Sequence, residues 1–218
     1  MRLAPPTGLL LGLVLAATLY GMRFAGLPGL VAAPATVALA ALLTRGMHLD
    51  GLADTVDALG SYRSPERALE IMKSPEAGPF AVAALVLTLL LQSVAIVFVT
   101  APGLLAAIAA GRLAVAFGCQ RGVPAARPDG LGSLVAGTVG PLALSANTLL
   151  VAAVAIWAVP GRPWHGPLAV AAAVAVTLLL RRHVVGRFGG ITGDVLGFLL
   201  EAATSVTLIA LCIGASAQ

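Results

Sequence analysis

PFAVAALVLTLLLQSVAIVFVT, residues 79–100, is 22 residues long and carries no charged side chain. A helix of roughly 20 mainly apolar residues crosses a bilayer, so this run reads as a spanning helix. Working outward, the same ruler marks six more runs, at 7–22, 27–44, 102–119, 139–159, 166–180 and 195–215. The expectation is an all-α integral membrane protein: one catalytic domain over 1–218, built as a bundle of about seven transmembrane helices. Composition agrees, since 59% of residues are hydrophobic, 10% are charged and mean hydropathy is +1.01. Soluble domains carry about 25% charge. The first run is followed by Arg23, Gly26 and more apolar sequence, so it reads as the first span and not as a cleaved signal peptide.

Between the second and third runs, residues 45–78 hold Arg45, Asp50, Asp54, Asp57, Arg63, Glu66, Arg67, Glu70, Lys73 and Glu76. A charge at mid-bilayer costs about 2.5–3.5 kcal/mol on insertion scales, so this segment belongs outside the lipid. Threading the seven runs alternately puts Arg2, Arg45, Arg63, Arg67, Lys73, Arg121, Arg127, Arg181, Arg182 and Arg187 on one side. Only Arg23 and Arg162 fall on the other, with Arg112 inside a run. The positive-inside rule then predicts a cytoplasmic N-terminus and a charged cytoplasmic helical segment at about 45–78, in a multi-pass protein of a bacterial inner membrane. All acids but Glu201 share that side. The net charge of +4 comes without a basic, aromatic-rich face, so nucleic acid is not an expected partner, whereas membrane lipid is. Cys119 and Cys212 lie apart in apolar runs, without the spacing of a metal or disulfide framework.

Two constellations carry chemistry. In HLDGLADTVDALG, residues 48–60, Asp50, Asp54 and Asp57 recur at helical spacing and share one helix face. Three like charges side by side call for a cation, and hard oxygen ligands with room for water and phosphate suit Mg²⁺. His48 points away from that face and reads either as a group near the substrate or as a polar end cap. Downstream, Ser64-Pro65-Glu66 is a helix start, predicting a short helix to about Lys73 whose basic residues touch lipid headgroups or phosphate. In RFGGITGDVLGFLLEA, residues 187–202, Gly189, Gly190 and Gly193 form a turn before a span whose free N–H groups could cradle an anion. Asp194 sits at its entrance. Glu201 lies two turns deeper, with Arg112 as the expected partner.

Four blocks, HLDGLADTVDALG at 48–60, ERALEIMK at 66–73, RPDGLG at 127–132 and GGITGDVLG at 189–197, resemble the cobalamin synthase family, also called adenosylcobinamide-GDP ribazoletransferase. The resemblance implies a Mg²⁺-dependent transferase of the late, nucleotide-loop-assembly step of vitamin B12 synthesis. It would join adenosylcobinamide-GDP to α-ribazole or its 5′-phosphate and release GMP. The implied site has Asp50, Asp54 and Asp57 on the metal, with Asp194, His48 and Lys73 catalytic, Asp194 as a further ligand or the base. Arg63, Arg121, Arg127, Gly190 and Gly193 would bind substrate phosphates. Two positions depart from the family pattern: Arg45 stands where a glycine is frequent, and Ser74 where an acid follows the lysine, so position 74 is left out of the site. A homo-oligomer is compatible with the sequence. A CDP-alcohol phosphotransferase-like lipid enzyme fits less well, because Asp54 stands where that family has arginine. A cation transporter fits least, because the three aspartates lie outside the spans.

Overall fold

Proline and glycine set the boundaries of the helices. Proline occupies the first turn of helices beginning at residues 4, 65, 79, 101 and 141, where its missing N–H has no intrahelical role. A computed structural model describes residues 1–214 as ten helices: α1 (Ala4–Phe24), α2 (Gly29–Leu43), α3 (Met47–Gly60), α4 (Pro65–Ile71), α5 (Pro79–Phe98), α6 (Ala101–Gly118), α7 (Gly130–Val135), α8 (Pro141–Ala155), α9 (His165–Phe188) and α10 (Gly193–Leu211).

The all-helical expectation holds, and fewer than seven helices are by themselves long and apolar enough to cross a membrane. Five helices, α1, α5, α6, α9 and α10, are long and apolar enough to cross a membrane, or six if α2 and α3, bent by 90°, count as one broken span. The runs at 27–44 and 139–159 shrink to α2 and α8, each of 15 residues, because glycine, proline and turn residues take their ends. The run at 166–180 grows instead to the 24 residues of α9. Hydropathy stops at Arg181, but the backbone hydrogen-bond ladder does not need apolar side chains to continue. The run ending at 215 closes at Leu211 as a helix, and residue 215 lies outside the described residues. Helix α7 had no counterpart in the sequence reading.

At the centre, α6 and α10 pack along most of their length, with 12 of 18 and 12 of 19 residues buried. Small residues allow this, as in other membrane bundles. A Cβ on Gly111 would stand 3.0 Å from the Leu200 carbonyl, and one on Gly118 would reach Leu196. Because Gly111 meets Leu200 while Gly118 meets Leu196, α6 and α10 run antiparallel. Gly8 and Gly12 against Ala109 and Leu105 give the same relation for α1 and α6. Helix α5 turns Val82, Val86, Leu87, Leu90, Leu91 and Val94 outward, an apolar face suited to lipid.

These directions bring the N-terminus, α3 and α4, the 119–140 segment and the α9–α10 turn to one end of the bundle. Arg45 and Gly46, with φ of 55° and 69°, make the sharp turn from α2 that sets α3 at 90° to it and lays it across this end. Arg45 is thus left-handed at the position where the resembled family favours glycine. Helix α3 presses on the start of α10: a Cβ on Gly51 would lie 2.6 Å from the Asp194 carbonyl oxygen, and one on Gly197 would lie 3.0 Å from that of His48. A Gly51→Ala substitution is therefore expected to cost about 1–3 kcal/mol. Gly21→Ala, with no neighbour within 4 Å, should leave the thermal midpoint in detergent unchanged or raised.

Candidate active site

Four segments meet at the polar end. Helix α3 brings Asp50, exposed, and Asp54, half-buried. The start of α10 brings Thr192 and Asp194, the end of α4 brings Met72 and Lys73, and the loop before α7 brings Arg127 and Asp129. Thr192 is the N-cap of α10, its Oγ1 accepting the Val195 N–H at 3.2 Å. The same hydroxyl donates to Asp194 Oδ2 at 3.1 Å, and Arg127 Nη2 donates to that oxygen at 3.2 Å. Asp194 is held by two donors on one oxygen, leaving Oδ1 free of them. Arg127 is mostly buried, lies 3.7 Å from Met72 Sδ, and keeps a buried Nε without a partner among the described residues. Lys73 Nζ sits 3.4 Å from Asp129 Oδ2, both side chains exposed, a pairing worth little in water.

Asp54 is the electrostatic focus. Burial, followed by the charges of Asp50, Asp194 and Asp57, pushes its carboxyl up from an ordinary 3.8 to about 7, against a smaller opposing effect of Arg127. These acids sense one another over longer distances than ligation allows. Among the described residues no three His, Cys, Asp or Glu side chains are close enough to hold a metal ion together.

The sequence reading aimed three aspartates at one point, and the structure separates them. Four residues of helix rise about 6 Å and seven about 10.5 Å, so residues on one face still reach different neighbours. Asp57, at the far end, accepts the Gly78 N–H at 2.5 Å and the Ala81 N–H at 2.8 Å. It caps the N-terminus of α5, satisfying donors the helix cannot satisfy itself.

Other expected site residues also find different surroundings. His48 lines a partly open cavity with Arg112, Gln92 and Glu201, on the opposite side of α3 from the aspartates. Burial, then the Arg112 charge, lowers its pKa from 6.5 to about 4, so its ring is neutral at pH 7. Gly190 is no open cradle: a Cβ there would lie 2.5 Å from Ala126 N and 2.6 Å from the Pro124 carbonyl. The loops zip together beside it, Ile191 N to Pro124 O and Ala126 N to Ile191 O, both 2.9 Å. Gly193 begins α10 next to Asp194. Arg63 is exposed, and its carbonyl accepts from Arg187. Arg121 is exposed near Gly140 at the start of α8, bonded through its backbone to Val139. Glu201 takes its hydrogen bond from Gln92 Nε2 at 2.8 Å and not from Arg112.

Sequence reasoning missed Thr192, Met72, Asp129 and Gln92. Thr192 alone carried a readable signal, as a threonine two residues before an acid at a helix start.

Comparison with known proteins matches residues 1–212 to the family model described as cobalamin-5-phosphate synthase. The chain belongs to that family. Relatives carrying the name adenosylcobinamide-GDP ribazoletransferase include one from Frankia casuarinae, 41% identical over 98% of this chain and 84% of its own length. Another, from a Nocardioides species, is 39% identical over 96% and 85%, and one from Pseudomonas savastanoi pv. phaseolicola is 36% identical over 96% and 86%. No solved structure matches. The family membership covers all four motif blocks, and three of the four contribute directly to the Asp54, Arg127 and Asp194 cluster, while the fourth supplies Met72 and Lys73.

Two outcomes follow from the geometry. A carboxyl whose pKa is raised in the folded state binds more protons folded than unfolded between the two values. Asp54 therefore contributes stability that is full below about 4 and lost as pH rises to about 7. With divalent ions chelated, the wild-type melting midpoint should fall across that window more steeply than that of Asp54→Asn. Asp57→Ala should lower stability by about 0.5–2 kcal/mol through loss of the α5 cap.

Proposed function

We propose that this protein joins adenosylcobinamide-GDP to α-ribazole or its 5′-phosphate, releasing GMP and forming adenosylcobalamin or its 5′-phosphate, at the cytoplasmic face of a bacterial inner membrane. The observation that carries this is the meeting of Asp50, Asp54, Arg127, Lys73 and Asp194 from four family motifs at one end of a membrane bundle. The names of the relatives supply the substrate.

The donors fit Mg²⁺. A half-buried carboxyl surrounded by three others gains from a cation, and Mg²⁺ commonly takes one or two carboxylates with water and phosphate oxygens completing its shell. Asp50 and Asp54 would hold it, where it would neutralise the diphosphate. Arg127, already oriented on Asp194, would present its guanidinium to phosphate oxygens as a planar donor. Lys73, weakly held by Asp129, can swing to the same charge. Asp194 Oδ1 accepts the proton of the attacking ribazole hydroxyl, while Thr192 and Arg127 fix the carboxylate through Oδ2. The new bond forms to the phosphorus attached to cobinamide, and the bond to GMP breaks on the opposite side.

Seven traversals with a cytoplasmic N-terminus are supported by the antiparallel relation of α6 to both α1 and α10, and by the ten-to-two division of basic residues. In this reading α2 and α8 cross as short, packed spans.

Purified protein in lipid nanodiscs should release GMP from adenosylcobinamide-GDP only with both α-ribazole and Mg²⁺ present. Asp54→Asn should lower kcat about a hundredfold or more, the scale of losing one charge-stabilising group. Full activity in a folded Asp54→Asn protein would refute this assignment.

A further inference from the structure

Glu201, 8% exposed, lies inside α10 two turns below Asp194. Its Oε2 accepts from Gln92 Nε2, which also donates to Ser205 at 3.1 Å. Arg112 of α6 faces the same cavity, yet among the described residues it forms no ion pair within 4.0 Å. A carboxyl and a guanidinium among apolar helices, facing one cavity without touching, need other polar matter to satisfy them.

The cavity provides room for it. Its volume is about 40 Å³, lined by Thr44, His48, Gln92, Arg112, Glu201 and Thr204 among apolar side chains. One water needs roughly 10–15 Å³ of such volume, so about three fit. A bare cation is disfavoured, because Arg112 already supplies the positive charge.

We propose that this cavity holds a small water cluster bridging Arg112 and Glu201 to the His48 ring, and that the hydrated Arg112–Glu201 pair is a positioning device for α3. His48 precedes Asp50 by two residues on the same helix, so fixing its ring from below sets the height and rotation at which Asp50 and Asp54 stand against α10. Gln92, Arg112 and Glu201 act through α3 and do not touch substrate. This rests on the reading of Asp50 and Asp54 as a Mg²⁺ site.

The test uses full-length protein in nanodiscs with two readouts besides activity: amide hydrogen exchange of residues 47–60, and the Mg²⁺ concentration giving half of the maximal thermal shift. Glu201→Gln keeps the side-chain shape and a bond to Gln92 but removes the carboxyl group. It should speed exchange in 47–60 about tenfold relative to α8 and α9, as expected on uncoupling one hydrogen-bond network, and raise the Mg²⁺ midpoint similarly. Ala41→Leu, which fills the cavity from α2 with every charge intact, should do the same by expelling the water. Both readouts unchanged in Glu201→Gln, or faster exchange spread evenly over all helices, overturns the positioning role. Ala41→Leu behaving as wild type overturns the water bridge. A wild-type protein with no Mg²⁺ response overturns the metal reading itself, which the exchange data distinguish from failure of the positioning.

Discussion

The crossing of α3 over the start of α10 is the constraint on which the site depends. At that crossing the backbones come within the space of a single methyl group, because Gly51 and Gly197 face one another. Helix α10 cannot shift, since α6 holds it along its buried length through a stripe of glycine and alanine. Helix α3 therefore inherits its position from the bundle core. Asp54 and Asp194 are brought together by packing, and their mutual repulsion is a consequence that the fold tolerates.

Around that contact each neighbouring segment does one physical task. Asp57 caps α5 and so ties the far end of α3 to a spanning helix. The 124–126 strip zips to Ile191 and holds the loop from which Arg127 reaches Asp194. Ser64 caps α4, whose end lays Met72 against Arg127 and Thr192. The result is a cluster of carboxylates with one mostly buried guanidinium and one exposed ammonium at its rim. Such a mixture suits a multiply charged phosphate ligand better than a single counter-ion, because attraction is supplied from several directions with little rearrangement.

The apolar remainder of the molecule serves this end in a different way. Lipid offers no hydrogen bonds, so the spans satisfy their own backbone and pack through small residues. Many of the polar groups accordingly gather at the bundle end or in the pocket around Gln92, Arg112 and Glu201. That segregation explains why so many charged residues of the chain concentrate within a few turns of the site.

By itself the sequence determined the all-helical, multi-pass class, the start of α4 at Ser64, the helical phase of Asp50 and Asp54, and, through four motifs, the family. These are local properties: hydropathy, caps and periodicity depend on neighbours along the chain. What only the tertiary structure decided is which neighbours meet in space. Periodicity gives the angle around a helix but not the partner waiting at each height, so Asp57 became a cap, His48 faced inward, and Gly190 admitted a loop instead of an anion. Gln92 replaced Arg112 as the hydrogen-bond donor to Glu201 for the same reason: contacts between residues 109 positions apart are set by how helices pack, and no pattern within either helix encodes them.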